Sequence, residues 1–185
     1  TEKIENEKKL NIVYLGGSIT MGCNATKTEL RYVDRSAKWW QTNFPDAEIS
    51  YFNAGIGATT SQFGVARVQE HVLDKQPDLV FVEFSVNDSS SPLFMETYES
   101  LVRRLLKAES VKAVVLINNL FYDTGTNAQG IHNAIGLHYD LPIVSVRNYI
   151  FPEIQLGNVC LADYTADMLH PCLLYTSPSP RDYAA

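Results

Sequence analysis

Three things are scarce in this 185-residue sequence: positive charge, long apolar runs and cysteine. Lys and Arg total 15 against 21 Asp and Glu, a net charge of −6, which argues against a nucleic-acid partner. No apolar run approaches the ~18 residues of a membrane span, and the opening TEKIENEKKL lacks the apolar centre of a signal peptide. The three cysteines, Cys23, Cys160 and Cys172, are widely spaced with no C-x-x-C pair, which argues against a disulfide framework and favours a reduced, cytoplasmic setting. A leader cleaved ahead of Thr1 would leave the same sequence, so secretion stays open. A zinc site of Cys160, His170 and Cys172 fits no common ligand spacing. G-x-G-x-x-G is also missing, since the early glycines fall at 16, 17 and 22, and there is no P-loop lysine.

What is present is a globular composition, 45% hydrophobic, in a length that suits one domain. Five short runs rich in Val, Ile, Phe and Tyr start at Leu10, Glu48, Asp78, Val111 and Leu141. Several are apolar at nearly every position, the pattern of strands buried on both faces of a parallel sheet. Helical patterns lie between them. In RSAKWWQTNF, the residues Ala37, Trp40 and Phe44 share a face, and the Trp39-Trp40 pair reads as core plus a half-exposed neighbour. TTSQFGVARVQEHVLDKQ carries a Val65, Val68, Val72 stripe with Thr60 or Ser61 as cap. SPLFMETYESLVRRLLKAE has Ser91 as cap, Pro92 at its first turn and an apolar face of Leu101, Leu105 and Leu106. TNAQGIHNAIGLHYD is weaker, interrupted by Gly130 and Gly136. This alternation predicts an α/β domain with a doubly wound parallel sheet. His71, His132 and His138 fall in helical patterns and read as surface or packing residues.

In such a sheet, ligands bind beyond the carboxyl ends of the strands, so the segments after each strand matter most. Gly16-Gly17-Ser18-Ile19-Thr20 follows the first: glycines for a sharp turn, then a serine as nucleophile or simple cap. NAGIGATTS follows the second, its small residues leaving backbone N–H groups free to face an oxyanion. FSVND follows the third; Asn87 can donate an amide N–H to developing negative charge or stabilise a turn. Near the end, ADMLHP sets Asp167 three residues before His170, a spacing that lets a carboxylate orient an imidazole. Each motif alone is weak. Together they supply a nucleophile, a base with its orienter and two kinds of oxyanion donor.

These motifs resemble the conserved blocks of the SGNH hydrolases, also called the GDSL esterase/lipase superfamily, over about Leu10 to Pro171. The resemblance implies a flavodoxin-like three-layer α/β/α sandwich with a five-stranded parallel sheet. It implies Ser18, Asp167 and His170 as catalytic residues, with Ser18, Ala58 and Asn87 forming the oxyanion hole, and no metal or cofactor. The Gly-Gly variant of the first block looks most like bacterial carbohydrate esterases, including acetylxylan esterases. That suggests a short-chain, acetyl-type ester of a small molecule or carbohydrate as substrate, with no nucleic-acid or membrane partner. Gly17, Gly57, Phe121 and Tyr122 are pocket candidates, the two aromatics as sugar-facing groups or as plain packing.

Three positions depart from the family pattern. Gly17 stands where the founding motif has a non-catalytic Asp, and Ala58 where a glycine usually offers its N–H. After Pro171, CLLYTSPSPRDYAA replaces the usual closing helix; its Ser-Pro alternation forbids a regular helix. The organisation expected is therefore an extension over 1–9, the hydrolase domain over 10–171 and a disordered or non-native tail over 172–185. Two other readings remain on the sequence alone: a catalytically impaired carbohydrate-binding domain of this fold, and a phosphate- or nucleotide-binding flavodoxin-like domain.

Overall fold

A computed structural model describes residues 2–171. The tail over 172–185, and with it Cys172 and any closing helix, lies outside the described residues. Five strands form one parallel sheet: β1 (Lys9–Gly16), β2 (Glu48–Gly55), β3 (Leu79–Glu83), β4 (Ala113–Asn118) and β5 (Ile143–Ser145), in the order β2-β1-β3-β4-β5. Strand side chains alternate between faces, and in β1 both faces are buried: Ile12 and Tyr14 on one, Val13 and Leu15 on the other, all at 0% exposure. That accounts for the unbroken apolar runs.

Helices cover both faces. Helices α4 (Ser61–His71), α5 (Pro92–Leu106) and α6 (Gln129–His138) pack with Val13, Leu15, Val80, Val82, Val114 and Leu116. On the opposite face α3 (Tyr32–Asn43) packs Val33 and Trp40 with Ile12, Tyr14 and Phe81. Residues before the first strand join that layer: α1 (Glu2–Glu7) buries Ile4 beside Leu10, and β1 starts at Lys9. A third cluster joins α7 (Val146–Gln155) and α8 (Leu161–Tyr164) to the segment after β4 through Ile150, Tyr164 and Leu120.

The structure revises several local expectations. Leu101 and Leu105 are buried, but Leu106 is 39% exposed, because the rotation per residue carries it off the packed face. None of Thr60, Ser61 and Ser91 caps its helix through its side chain. The Ser61 N–H instead donates to Asp88 Oδ1 at 2.9 Å, so the cap of α4 comes from the segment after β3. Helix α7 carries Pro152 inside it, a residue that argues against a helix locally; Ser145 Oγ accepts from Asn148 N and starts it.

The sheet order also fixes where a site can form. From β1 the chain crosses to β2 on one side and then to β3 on the other. The connections diverge at the carboxyl ends of β1 and β3, which opens a crevice between them. Ser18 leaves β1 and Asn87 follows β3 at that point.

Candidate active site

Gly16 and Gly17 end β1, and Ser18 opens α2 (Ser18–Met21). Gly22, at φ +94°, stops the helix after one turn, and its N–H and that of Cys23 both donate to Ser18 O. A helix N-terminus leaves its first N–H groups without intrahelical partners, so Ser18 offers both a hydroxyl and an N–H to the crevice. Ser18 is 8% exposed.

The segment after α8 folds back onto this serine. His170 Nε2 lies 2.7 Å from Ser18 Oγ, and His170 Nδ1 lies 2.6 Å from Asp167 Oδ2. Asp167 Oδ1 accepts from the N–H groups of His170 (2.8 Å) and Leu169 (3.1 Å) and from Thr165 Oγ1 (3.1 Å). Burial alone would raise the Asp167 pKa. The hydrogen bonds from the His170 ring and from the His170 and Leu169 N–H groups outweigh it and hold the carboxyl below the usual carboxylate range. Met168 takes φ +62°, and its carbonyl accepts from Tyr122 N at 2.8 Å, which ties the loop to the segment after β4. Both ring nitrogens of His170 are thus engaged by Asp167 and Ser18. Among the described residues no group of three His, Cys, Asp or Glu is arranged to hold a metal.

The turn after β2 faces the same serine. A side chain begun on Gly57 would stand 3.9 Å from Ser18 Cβ. Asn53 joins the two loops: its Nδ2 donates to Thr20 O at 2.8 Å, and its Oδ1 accepts from Gly55 N at 2.9 Å. At Gly55 the backbones come so close that a Cβ would lie 2.2 Å from Met21 N. Asn87 Oδ1 lies against Gly17, where a Cβ would stand 2.4 Å away; an aspartate there would collide with the amide. This is the physical consequence of the Gly-Gly variant. Asp88 then fixes the loop, capping α4 through Oδ1 and meeting the buried His132 Nε2 through Oδ2 at 3.1 Å. His132 stacks on Tyr98 with centroids 3.6 Å apart, and burial lowers its pKa. Of the other two histidines, His71 is half-buried beside Arg67 and His138 is exposed.

Residues 14–171 match the family described as GDSL-like Lipase/Acylhydrolase. The chain belongs to that family. Among solved structures it is similar to a two-domain esterase active on acetylated mannans, at 47% identity and TM-score 0.89 over 92% of this chain and 47% of that one. The same similarity holds for that esterase co-crystallised with mannopentaose, of which 48% is covered. The chain therefore spans about half the length of those relatives. An acetylxylan esterase from Geobacillus stearothermophilus shares the fold at 19% identity, TM-score 0.73, over 89% of this chain and 87% of that one. Among curated proteins, none matches the chain. The family groups lipases and acylhydrolases.

Within this family member, the two aromatic pocket candidates part from the cluster. Tyr122 is 3% exposed and packs with Ile150 and Tyr164, so its ring is core rather than a sugar platform. It borders a cavity of about 350 Å³ lined also by Ile19, Tyr32, Tyr149 and Pro171, which neither Ser18 nor His170 lines. Phe121 is half-buried and outside that cavity, and its carbonyl accepts from Gly125 N.

Asn24 and Glu83 contribute here with no signature in the sequence. Asn24, at φ +66° in the loop after α2, donates from Nδ2 to Asp167 Oδ2 at 3.0 Å. The loop that carries Ser18 thereby helps hold Asp167; a lone Asn in GCNAT gives no sign of this. Glu83, the last residue of β3, lies wholly buried under the Ser18 loop, where Thr20 Oγ1 donates to its Oε2 at 3.3 Å and contacts Tyr32 OH at 2.8 Å. Burial raises its pKa to about 7, opposed by the Asn119 amide, Thr20 and the Gly17 N–H.

Both Ala58 and Glu83 carry a consequence for stability. Ala58 sits at φ +55°, a region that costs an L-residue roughly 1–2 kcal/mol and glycine little. After the entropy glycine adds to the unfolded chain, Ala58→Gly should raise Tm by about 1–3 °C with turnover intact. A lower Tm would mean that the methyl packs favourably. For Glu83, the folded pKa of about 7 exceeds the ordinary value of 4.5, so the native state takes up a proton between those values. Its contribution is fully present below pH 4.5 and lost as pH rises through about 7. Glu83→Gln, neutral throughout, should match wild type near pH 4.5 and exceed it at pH 8 by up to about 3 kcal/mol in urea unfolding. A pH-independent difference would count against a buried, titrating Glu83.

Proposed function

We propose that the chain is a serine esterase that removes short acyl groups, acetyl foremost, from carbohydrate esters through an acyl-enzyme. The observation that carries this reading is the unbroken relay from Ser18 Oγ through His170 to Asp167, at 2.7 and 2.6 Å. Ser18 Oγ attacks the ester carbonyl as His170 Nε2 takes its proton. Asp167 fixes the tautomer through Nδ1–H and stabilises the imidazolium. The N–H groups of Ser18 and Ala58 and the Asn87 amide hold the oxyanion; one such donor typically lowers the barrier by about 2.7–4 kcal/mol. His170 then protonates the departing alcohol. Water, deprotonated by the same nitrogen, attacks the acyl carbon, and the carboxylic acid leaves with Ser18 restored. No step needs a cofactor.

The substrate class rests on the 47% identical esterase, active on acetylated mannans. The decisive experiment incubates the protein with a fluorophosphonate and, separately, with acetylated mannan and acetylated xylan. One phosphonyl group on Ser18, with acetate released faster from mannan, is expected. Labelling without release from either polymer would leave the serine esterase and remove the carbohydrate. Without labelling or release, the chain would be a carbohydrate-binding relative of this fold.

A further inference from the structure

Helix α4 carries a buried cation that the reaction above does not use. Arg67 is 5% exposed, yet both of its strong hydrogen bonds go to main-chain carbonyls rather than carboxylates. Nη1 donates to Ala54 O at 2.6 Å and Nη2 to Gly16 O at 3.0 Å. Nη1 also lies 3.4 Å from His71 Nδ1, the Phe63 ring lies 5.8 Å from the guanidinium carbon, and Nε has no partner among the described residues. Burial lowers the Arg67 pKa to about 10, so the group stays charged at neutral pH. Burying a guanidinium is costly, and a Leu or Met would fill the space without that cost.

The two carbonyls explain the choice. Gly16 is the last residue of β1, two before Ser18. Ala54 is the penultimate residue of β2, four before Ala58, and pairs in register with Leu15. Gly16 O also accepts from Ile56 N at 3.1 Å, inside the turn that leads to Ala58. Beyond the turn, α4 is pinned by Asp88 at Ser61 N. One planar fork therefore spans the strand that delivers the nucleophile and the strand that delivers the Ala58 N–H, from the helix that follows that N–H. A guanidinium holds two acceptors at a fixed separation; an ammonium on a flexible stem does not.

We propose that Arg67 is a positioning residue: its guanidinium sets the distance between Ser18 Oγ and the Ala58 N–H. The proposal rests on the serine esterase reading. Oxyanion contacts tighten only in the transition state, so their misplacement lowers kcat and leaves KM nearly unchanged.

The test measures p-nitrophenyl acetate kinetics and melting for wild type, Ser18→Ala, Arg67→Lys, Arg67→Met and Val72→Ala, the last a core truncation just beyond α4. Arg67→Lys should melt cooperatively, lose about 10- to 100-fold in kcat and keep KM within about twofold, with Arg67→Met no better. Val72→Ala should lose stability and keep kcat, showing that destabilisation alone does not slow the chemistry. A folded Arg67→Lys with kcat within about threefold of a Ser18-dependent wild type would overturn the positioning role alone. Wild type no faster than Ser18→Ala would defeat the esterase reading and this proposal with it. Failure of both Arg67 variants to fold would also overturn it, marking Arg67 as a residue of the fold.

Discussion

Ser18→Ala should lower kcat/KM for p-nitrophenyl acetate by at least about 10³-fold, to the background left by surface nucleophiles, because without Oγ no acyl-enzyme forms. Little else should change. Ser18 is 8% exposed, its carbonyl bonds to Gly22 and Cys23 are main-chain, and alanine suits the first turn of α2. Tm should stay within about 2 °C of wild type. Fluorophosphonate labelling should vanish with the activity. A mutant that hydrolyses the ester as fast as wild type would sink the nucleophile assignment, and Gly16-Gly17-Ser18 would then be only a turn.

Asp167→Asn should also be severe, about 10⁴-fold in kcat, by reversing a hydrogen bond rather than removing a group. Asp167 Oδ2 accepts from both His170 Nδ1 and Asn24 Nδ2, and Oδ1 accepts from two N–H groups and Thr165 Oγ1. Asparagine can keep its oxygen at the Oδ1 position only by placing NH₂ against the imidazole and the Asn24 amide. His170 then presents Nδ1 as acceptor and N–H toward Ser18, the tautomer unable to take the serine proton. Lowering pH should bring the stabilities of the two proteins together. The Asp167 pKa is depressed on folding, so its stabilisation is present above the ordinary value of 3.8 and lost as pH falls below it. The asparagine variant should lack that acid-side slope. If Asp167→Asn retained wild-type kcat, His170 would be oriented by something other than this carboxylate.

Much of this architecture is legible in the order of residues alone. The buried runs specify a parallel sheet because only strands covered on both faces can be apolar at every position. Three of the four motifs follow β1, β2 and β3, whose carboxyl ends lie on one edge of the parallel sheet, so they converge there; the fourth follows α8 and folds back onto them. Asp167 and His170 are readable as a pair because they are close in sequence and their contact is local.

The contributors on which the sequence is silent all work over long separations. Asn24 reaches Asp167 across 143 residues, Asp88 caps a helix that begins 27 residues earlier, and Arg67 clasps Gly16 from 51 residues away. No periodicity or cap rule encodes such a partner. Helix α7 has no clear local signal, because Pro152 opposes it while the packing of Ile150 against Leu120 and Tyr164 favours it. The aromatics after β4 invite a sugar-facing role, and burial decides that of Tyr122: a ring 3% exposed has spent its surface on the core. Local patterns of side chains specify the sheet, its edge and the residues brought to that edge. Tertiary structure alone decided how the loops are held, what strain Ala58 bears and why Glu83 titrates near neutrality. Those depend on desolvation and on hydrogen bonds that exist only after distant segments have packed.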